Sequence, residues 1–409
     1  MRMLKPNYIC WQTSDMDILA LEKEYFLNVY KRFPVEIEKG EGAYLIDKKG
    51  KRYLDFLSGI AVNSLGYNHP SINSALQNQI QRNLHLSNYF IQDVQVELAE
   101  KLLSLTPFSK LFFTNSGTEA IEGLLKLVKK WGNNQNKTEI IAFEGSFHGR
   151  SIGSLSITIQ DKYQKSFSPL LPNIITVPFN NPDALKKAIS ERTTAIFYEG
   201  ITGEGGIRPV SNEVFKVMAE GREKYGYLLI ADEIQTGVGR TGKFYYFEHC
   251  PLVPDAVATA KGLGGGLPLG AFLVSDKLTD IFNVGEHGTT FGGNPIACAA
   301  GLATIQQISK PEFLDNIEKQ GLYLQEKLTG ICHEFIDITV ESRGKGLMQG
   351  LQLKKDAPKV MLEAFNHGLI LNTAGDNTLR FLPPLVINKS HIDEAIDKLR
   401  KTLRKAFYS

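Results

Sequence analysis

The sequence predicts an α/β protein in which helices cover both faces of a mostly parallel sheet. From Leu98 onward, short apolar runs typical of strands alternate with stretches of helical periodicity, as they do in parallel sheets. The chain has 409 residues, which is enough for two domains of ordinary size. The predicted strands cover 111–114, 139–143, 173–179, 194–199, 227–233, 256–260 and 271–275, and the predicted helices include 118–131, 183–190 and 211–226.

The residues before this alternation predict an N-terminal arm and a few strands. A helix is expected over about 15–29, because Pro34 limits its continuation. Two strand-like runs flank the polar segment 47–51 and predict a hairpin, and 71–84 predicts a further helix.

The residues after the alternation predict a second, smaller α+β domain. A long helix over 311–331 leads into it, and a closing helix begins at about residue 390. Strands are expected near 336–341 and 347–353, and a helix over 359–367. We therefore expect an arm with part of the small domain in 1–70, a large cofactor-binding domain in 71–310 and the C-terminal small domain in 311–409.

Composition excludes several classes of protein. Lys and Arg total 46 and Asp and Glu total 44, so the net charge of +2 gives no sign of a nucleic-acid-binding surface. No apolar run is long enough to cross a membrane, and the N-terminus lacks the core of a signal peptide. The four cysteines form no CxxC pair and the eight histidines show no ligand spacing, so we expect a cytoplasmic protein without a metal site.

The stretch 227–270 carries the strongest chemical signal. One apolar run ends at Asp232, and a second ends at Lys261 and is followed by glycines. Both residues therefore follow predicted strands, where open α/β sheets bind their ligands. We interpret Lys261 as the residue that carries pyridoxal phosphate (PLP) as a Schiff base, and Asp232 as the acid that keeps the pyridine nitrogen protonated. Taken alone, an exposed loop lysine and a turn-capping carboxylate would explain the same residues.

Residues that suit a phosphate and a flat ring follow other predicted strands. Gly117 and Thr118 open a helix, where backbone N–H groups and a hydroxyl can bind a phosphate; an ordinary N-cap is the alternative. Phe147 could stack on a planar ring and Arg150 could bind a carboxylate with two hydrogen bonds. A packing phenylalanine and a solvated arginine are their alternatives.

The segment 237–242 matches the dinucleotide-binding pattern G-x-G-x-x-G. In that fold the glycines open a helix directly after the strand. Here Asp232 precedes the glycines and an aromatic run, KFYYFEHC, follows them. We therefore reject a dinucleotide site.

The whole set, in this order, resembles the class III (ornithine-aminotransferase-like) PLP aminotransferases of fold type I. The resemblance covers nearly the whole chain. The motifs that carry it are YKRFPVEIEKGEGAYLID, LDFLSGIAVNSLGYNHP, NSGTEA, FHGR, ADEIQTGVGRTG, AKGLGGGLPLGA, TTFGGNPIACAAGLA, RGKGLMQGL and LRFLPPL.

The resemblance implies roles for the residues around the cofactor. Lys261 would bind the cofactor aldehyde and Asp232 would pair with the ring nitrogen. The other implied contacts are Gln235 near the phenolic oxygen, Phe147 on the ring, Gly117 and Thr118 on the phosphate, and Thr290 on the phosphate from the other subunit of a homodimer.

The resemblance also implies how the substrates bind. Arg150 would bind the α-carboxylate of the donor, and Thr289 would lie close to the substrate. Glu204 and Arg380 resemble a pair that closes on itself while the ω-amino donor is bound and opens to give Arg380 a carboxylate of 2-oxoglutarate. The chain departs from the usual E-P-I-Q-G-E-G-G at Gly200, which loosens the backbone, and at Thr202, which shortens a polar arm.

The implied reaction moves the ω-amino group of N2-acetyl-L-ornithine to 2-oxoglutarate by a ping-pong route through pyridoxamine phosphate. Arg150 favours donors that have an α-carboxylate, which counts against 4-aminobutyrate. Ornithine and succinylated donors remain open, as does a catalytically silent binding protein on the same fold.

Overall fold

The computed structural model describes residues 18–375 and 377–408. The first helix begins at Ile18, so the start of the predicted helix at residue 15 lies outside the described residues. The predicted hairpin is confirmed, because the strands on either side of 48–51 pair antiparallel. The N-terminal elements are α1 (Ile18–Tyr25), β1 (Ile37–Glu41), β2 (Tyr44–Asp47), β3 (Arg52–Asp55) and α2 (Ser58–Ala61), whose residues have left-handed backbone conformation.

The middle of the chain forms the predicted alternation of strands and helices. Seven strands build one sheet, and each predicted strand of this region is present within a few residues of its expected bounds. The elements are α3 (Pro70–Arg82), α4 (Asp93–Leu103), β4 (Lys110–Thr114), α5 (Gly117–Asn133), β5 (Glu139–Phe143), α6 (Ile152–Ser156), α7 (Asp161–Gln164), β6 (Ile174–Val177), α8 (Pro182–Ala188), β7 (Thr193–Tyr198), α9 (Asn212–Tyr225), β8 (Leu228–Asp232), β9 (Ala256–Thr259), β10 (Gly270–Val274) and α10 (Pro295–Ile308).

The seven-stranded sheet has the order β4-β10-β9-β8-β7-β5-β6. Neighbouring strands from β9 to β6 pair parallel, and β10 alone runs antiparallel to its neighbours β9 and β4. The prediction of a mostly parallel sheet is thus confirmed. The carboxyl ends of β4, β5, β7, β8 and β9 consequently lie at one edge.

Helices cover both faces of this sheet, as the sequence predicts. Along β8, Leu228 and Ile230 belong to the core cluster that includes the buried face of α5, whereas Leu229 belongs to the cluster with Val214 and Phe215 of α9. Successive residues of a strand point to opposite faces, so a run of apolar residues is required where both faces are covered.

The C-terminal region forms a four-stranded antiparallel sheet of order β11-β12-β15-β14 with helices beside it. Its short strand β13 pairs parallel with β3 and so joins the N-terminal sheet. This pairing supports the proposed division in which the N-terminal residues belong partly to the small domain. The elements are α11 (Pro311–Glu334), β11 (Thr339–Lys345), β12 (Met348–Leu353), α12 (Ala357–Asn366), β13 (Leu369–Ile370), β14 (Asn372–Ala374), β15 (Thr378–Phe381) and α13 (Lys389–Tyr408).

Two long helices, α4 and α10, and three short ones, α2, α6 and α7, were not predicted from the sequence. The helix α10 has buried residues around most of its circumference, including Ala297, Ala300 and Ile305, so it shows little of the polar-apolar periodicity that marks a surface helix. Within the described part of the chain, every helix is too short or too polar to span a bilayer. The same residues contain no group of three or more His, Cys, Asp or Glu side chains that could hold a metal ion.

The helix α11 offers a matched pair of glycines for a stability test. A Cβ atom on Gly321 would lie 2.5 Å from the Cα atom of Gly346, whereas a Cβ on Gly330 would meet nothing within 4 Å. We expect Gly330→Ala to raise the free energy of unfolding by about 0.5–1 kcal/mol, because alanine loses less entropy in a helix. Gly321→Ala should lower it by about 1–3 kcal/mol through overpacking. Urea unfolding measures both, and equal shifts would contradict the close packing at Gly321.

Candidate functional site

A cavity of about 480 Å³ lies where the parallel strands end. Its wall is built from segments that follow β4, β5, β8 and β9, together with the loop after β7. This is the edge at which open α/β sheets bind ligands. Eight of the residues predicted from the sequence line it: Gly117, Thr118, Phe147, Arg150, Glu204, Asp232, Gln235 and Lys261.

Lys261 follows β9 with a positive φ of 45°, which a side-chain-bearing residue rarely adopts. The next residue, Gly262, has room for no side chain, since a Cβ there would lie 2.5 Å from the hydroxyl of Ser64. Burial lowers the pKa of Lys261 to about 8, and the charge of Arg380 acts in the same direction against the opposing charge of Asp232. Its amine is therefore neutral at a lower pH than that of an ordinary lysine, as imine formation requires.

Asp232 ends β8 with only 4% of its surface exposed. Its Oδ2 accepts a hydrogen bond from Nδ1 of His148 at 2.7 Å, and its Oδ1 accepts one from the backbone N–H of Ile234 at 3.0 Å. Burial acts to lower the pKa of His148, but the hydrogen bond and charge of Asp232, with the charge of Glu199, raise it above its ordinary value. The carboxylate is thus held rigidly at the cavity wall, where it fits a protonated ring nitrogen.

Glu199 is a second buried acid beside this pair. It accepts hydrogen bonds from the backbone N–H groups of Phe147 at 3.0 Å and Gly203 at 2.8 Å. Burial raises its pKa to about 7, although the positive charge of His148 opposes the shift. Glu199 therefore ties the loop after β5 to the loop after β7.

The N-terminus of α5 forms the end of the cavity that suits an anion. The free N–H groups of a first helical turn, with the helix dipole, favour a phosphate. A Cβ atom on Gly117 would lie 2.7 Å from Ile234, so glycine lets the helix approach this wall closely. The hydroxyl of Thr118 lies 2.8 Å from that of Ser151 and 2.7 Å from that of Ser154. This donor set fits the phosphate of the expected cofactor.

Arg150 lines the cavity and is exposed. Its guanidinium carbon is 3.9 Å from the ring centroid of Tyr163 and 5.4 Å from that of Phe147. Stacking against an aromatic face leaves the in-plane N–H groups of an arginine available to a carboxylate. The geometry is therefore suited to the carboxylate role that the sequence predicts.

Glu204 and Arg380 form the ion pair that the sequence predicts, with 2.7 Å between Oε1 and Nη2. Arg380 is 1% exposed, and it also donates to Gln235 at 3.3 Å and to Asn372 at 3.0 Å. Burial acts to raise the pKa of Glu204, but the charge and hydrogen bond of Arg380 lower it below its ordinary value. Gln235 thus connects this pair to the cofactor side of the cavity.

Thr289 and Thr290 line a different concavity of the same chain. The hydroxyl of Thr289 accepts a hydrogen bond from Asn115, which lines the first cavity, at 3.2 Å. Thr290 is exposed and lies outside the lining of the first cavity. Exposed apolar residues accompany them, including Tyr89 at 95% and Phe291 at 57%.

Several contacting residues were missed from the sequence, namely His148, Asn372, Asn115 and Tyr163. His148 lies inside the FHGR motif, but a motif does not reveal which side chain points inward. The two departures from the family pattern also have a structural context. A Cβ on Gly200 would lie 2.1 Å from the ring of Tyr246, and the hydroxyl of Thr202 accepts from the N–H of Arg208 at 3.1 Å, outside the cavity lining.

Comparisons with known proteins find a matching family and relatives over nearly the whole chain. The family model described as Aminotransferase class-III matches residues 25–403. The chain is 44% identical over 382 residues to the acetylornithine aminotransferase of Aquifex aeolicus, covering 93% of this chain and 100% of that protein. It is 40% identical to the acetylornithine aminotransferase of Methanocaldococcus jannaschii, covering 93% and 96%. The crystal structure of the ornithine aminotransferase from Toxoplasma gondii superimposes with a TM-score of 0.90 at 28% identity, covering 95% and 94%.

The lowered pKa of Lys261 predicts how the cofactor-free protein takes up PLP. Since only the neutral amine attacks an aldehyde, the rate of imine formation should rise with pH and level off above about 8. Arg380→Gln removes a neighbouring positive charge and should move this midpoint upward. Visible absorption follows the reaction. Arg404→Gln, a change on the surface beside Glu334, serves as the control. A midpoint near 10.5, the ordinary lysine value, would contradict the site described.

Proposed function

Because the chain belongs to the class-III aminotransferase family, we propose that it moves the ω-amino group of N2-acetyl-L-ornithine to 2-oxoglutarate. The products are N-acetyl-L-glutamate 5-semialdehyde and L-glutamate, in a step of arginine biosynthesis. The relatives named acetylornithine aminotransferase, at 39–44% identity, support this donor over the other donors of the family. The observation that carries the proposal is the meeting of Lys261, Asp232 and the Glu204–Arg380 pair around one cavity.

The enzyme is an aminotransferase that uses pyridoxal 5′-phosphate. When bound, this cofactor accepts the electrons that are left when a proton departs from the substrate carbon. We assign Lys261 the covalent attachment of the cofactor between turnovers. Released by the incoming amine, Nζ of Lys261 is free to take the proton from the carbon that bears the donor nitrogen.

Asp232 has the role of keeping the ring nitrogen protonated. Its hydrogen bonds from His148 and the N–H of Ile234 fix the positions of both oxygens. A preorganised carboxylate in a buried site stabilises positive charge more strongly than water does. Phe147 would cover the ring, and Gln235 would lie at its phenolic oxygen.

The phosphate role belongs to Gly117 and Thr118, whose N–H groups open α5. A helix N-terminus holds a phosphate without moving, so it fixes the reacting end of the cofactor relative to Lys261. The hydroxyls of Ser151 and Ser154 orient that of Thr118.

The substrates are distinguished by two arginines. Arg150 would bind the α-carboxylate of the donor, whereas the carboxylate of 4-aminobutyrate lies one carbon nearer to its amine. In the first half-reaction Glu204 neutralises Arg380, so the uncharged arm of the donor meets no unpaired cation. In the second, Arg380 would bind a carboxylate of 2-oxoglutarate. The exchange is chemically balanced, because one carboxylate replaces another on the same guanidinium.

A homodimer with shared sites is part of the proposal. Thr290 lies outside the cavity of its own chain, within a surface that exposes Tyr89, Phe90 and Ile91. Such a contiguous apolar surface is typical of subunit interfaces. In the dimer, Thr290 would reach the phosphate in the other subunit, and Thr289 would lie close to the substrate. A cytoplasmic location is also proposed, in line with the scattered cysteines of the sequence.

The first test is the visible absorption of the holoenzyme with different donors. N-acetylornithine should bleach the yellow chromophore fastest, ornithine more slowly, and 4-aminobutyrate slowest, because its carboxylate lies one carbon nearer to its amine and is less well placed for Arg150. Lys261→Ala should lose turnover by several orders of magnitude. Fastest bleaching by another donor would contradict the proposed substrate. A near-normal rate for Lys261→Ala would contradict the proposed mechanism.

A second test examines whether Thr290 acts across subunits. Thr290→Ala should bind PLP about tenfold more weakly, as expected for a lost phosphate hydrogen bond. When this variant is mixed and refolded with Lys261→Ala, one site of each hybrid dimer keeps both residues. A tightly held, Lys261-linked chromophore should therefore reappear in the mixture. If Thr290 acts on the site of its own chain, mixing will restore nothing.

A further inference from the structure

Two arginines and a glycine form a row across the C-terminal sheet. Arg343 on β11 pairs with Gly350 on β12, which in turn pairs with Arg380 on β15. Residues directly opposite each other in antiparallel strands present their side chains on the same face. Gly350 therefore places no side chain of its own between the two arginines.

The loop that carries Glu204 lies on this row. Arg380 holds the Glu204 carboxylate at 2.7 Å, and Arg343 donates twice to the carbonyl of Gly206, from Nε at 2.9 Å and from Nη2 at 2.7 Å. Ile207 occupies the space above Gly350, where a Cβ atom would lie 3.0 Å from its side chain. The loop is thus bound at two residues, Glu204 by Arg380 and Gly206 by Arg343, which stand at the two ends of the row.

All five hydrogen bonds that the guanidinium of Arg343 can donate are made, two of them to Gly206. Besides Gly206, its guanidinium donates to Thr378 at 3.1 Å, Gln352 at 2.6 Å and Glu341 at 2.5 Å. The side chain is 11% exposed. A planar fork with five N–H groups makes these bonds together, and a lysine has neither the shape nor the number of donors. Because Thr378 lies on the same strand as Arg380, Arg343 connects the loop to that strand.

The two arginines differ in the kind of partner they hold. Arg380 holds the side chains of Glu204, Gln235 and Asn372, which rotate away without any movement of the backbone. Arg343 holds a backbone carbonyl, which stays in place while side chains rotate. A backbone hydrogen bond from Gly375 to the carbonyl of Glu204, at 2.8 Å, adds to the hold on the loop.

We propose that Arg343 is a positioning residue. It fixes the backbone of the Glu204 loop while the Glu204 side chain rotates away and Arg380 binds a carboxylate of the acceptor. Glu204 then remains where it can take Arg380 back after each turnover. This inference rests on the proposed function, in which the Glu204–Arg380 pair opens and closes. Without the anchor, Glu204 neutralises Arg380 less completely, so the donor half-reaction suffers while Arg380 stays available to the acceptor.

The test separates the two half-reactions in single-turnover experiments on holoenzyme. For Arg343→Gln, kcat/KM for bleaching by N-acetylornithine should fall about tenfold, as a displaced binding group commonly causes. The reaction of the pyridoxamine form with 2-oxoglutarate should stay within about twofold. Arg343→Lys keeps the charge but loses the fork, so it should show the same split, and it preserves the test if the glutamine variant fails to fold.

Reference variants decide how the result is interpreted. Glu204→Gln should give the same split as Arg343→Gln, and the double variant should lose little more than either single one, because both act through one pair. Arg404→Gln should leave both half-reactions unchanged. If Glu204→Gln shows the split but the Arg343 variants lose equally in both half-reactions, or lose nothing, the proposed role of Arg343 is wrong. A Glu204→Gln enzyme without any split would overturn the proposed role of the pair itself.

Discussion

The site depends on one constraint, the shared direction of β4, β5, β7, β8 and β9. Since their carboxyl ends lie at one edge, segments that are far apart in sequence meet around one cavity. Lys261 and Asp232 follow neighbouring strands of this sheet, and the anion-binding turn of α5 follows β4. The predicted ligand groups therefore stand on a largely buried framework of strands, so their relative positions change little when side chains around them move.

Charges at this edge are buried in pairs, because an unpaired buried charge is costly. His148 pairs with Asp232, and Arg380 pairs with Glu204. Among the described residues, Lys261 forms no ion pair; burial and Arg380 instead lower its pKa, so that it loses its proton more easily. The same environment thus suits Lys261 for the covalent chemistry proposed for it.

The sequence predicted residues whose chemical type and position in a local pattern are distinctive. It missed residues whose contacts form only in the folded chain. Lys261 and Asp232 were recognisable because each ends an apolar run, and the parallel sheet followed from the alternation of elements. His148 is 84 positions from Asp232, and no local pattern indicates their hydrogen bond. The helix α10 was missed because it is apolar on most sides, which removes the periodicity that reveals a helix. Asn372, which holds Arg380, likewise becomes visible only when β14 pairs with β15.

The burial of Arg380 explains why the proposed exchange of carboxylates needs Glu204, a carboxylate of the protein itself. A guanidinium that is 1% exposed pays a large desolvation cost unless an anion accompanies it. An empty Arg380 site would therefore be unstable between half-reactions, and in the proposed mechanism Glu204 would supply the anion whenever the acceptor is absent. The affinity for the acceptor would then depend on the difference in free energy between two contacts of Arg380, one with the acceptor carboxylate and one with Glu204. In the role proposed for Arg343, a loop held at its backbone would keep the contact between Glu204 and Arg380 constant, so that the identity of the incoming carboxylate would decide the exchange.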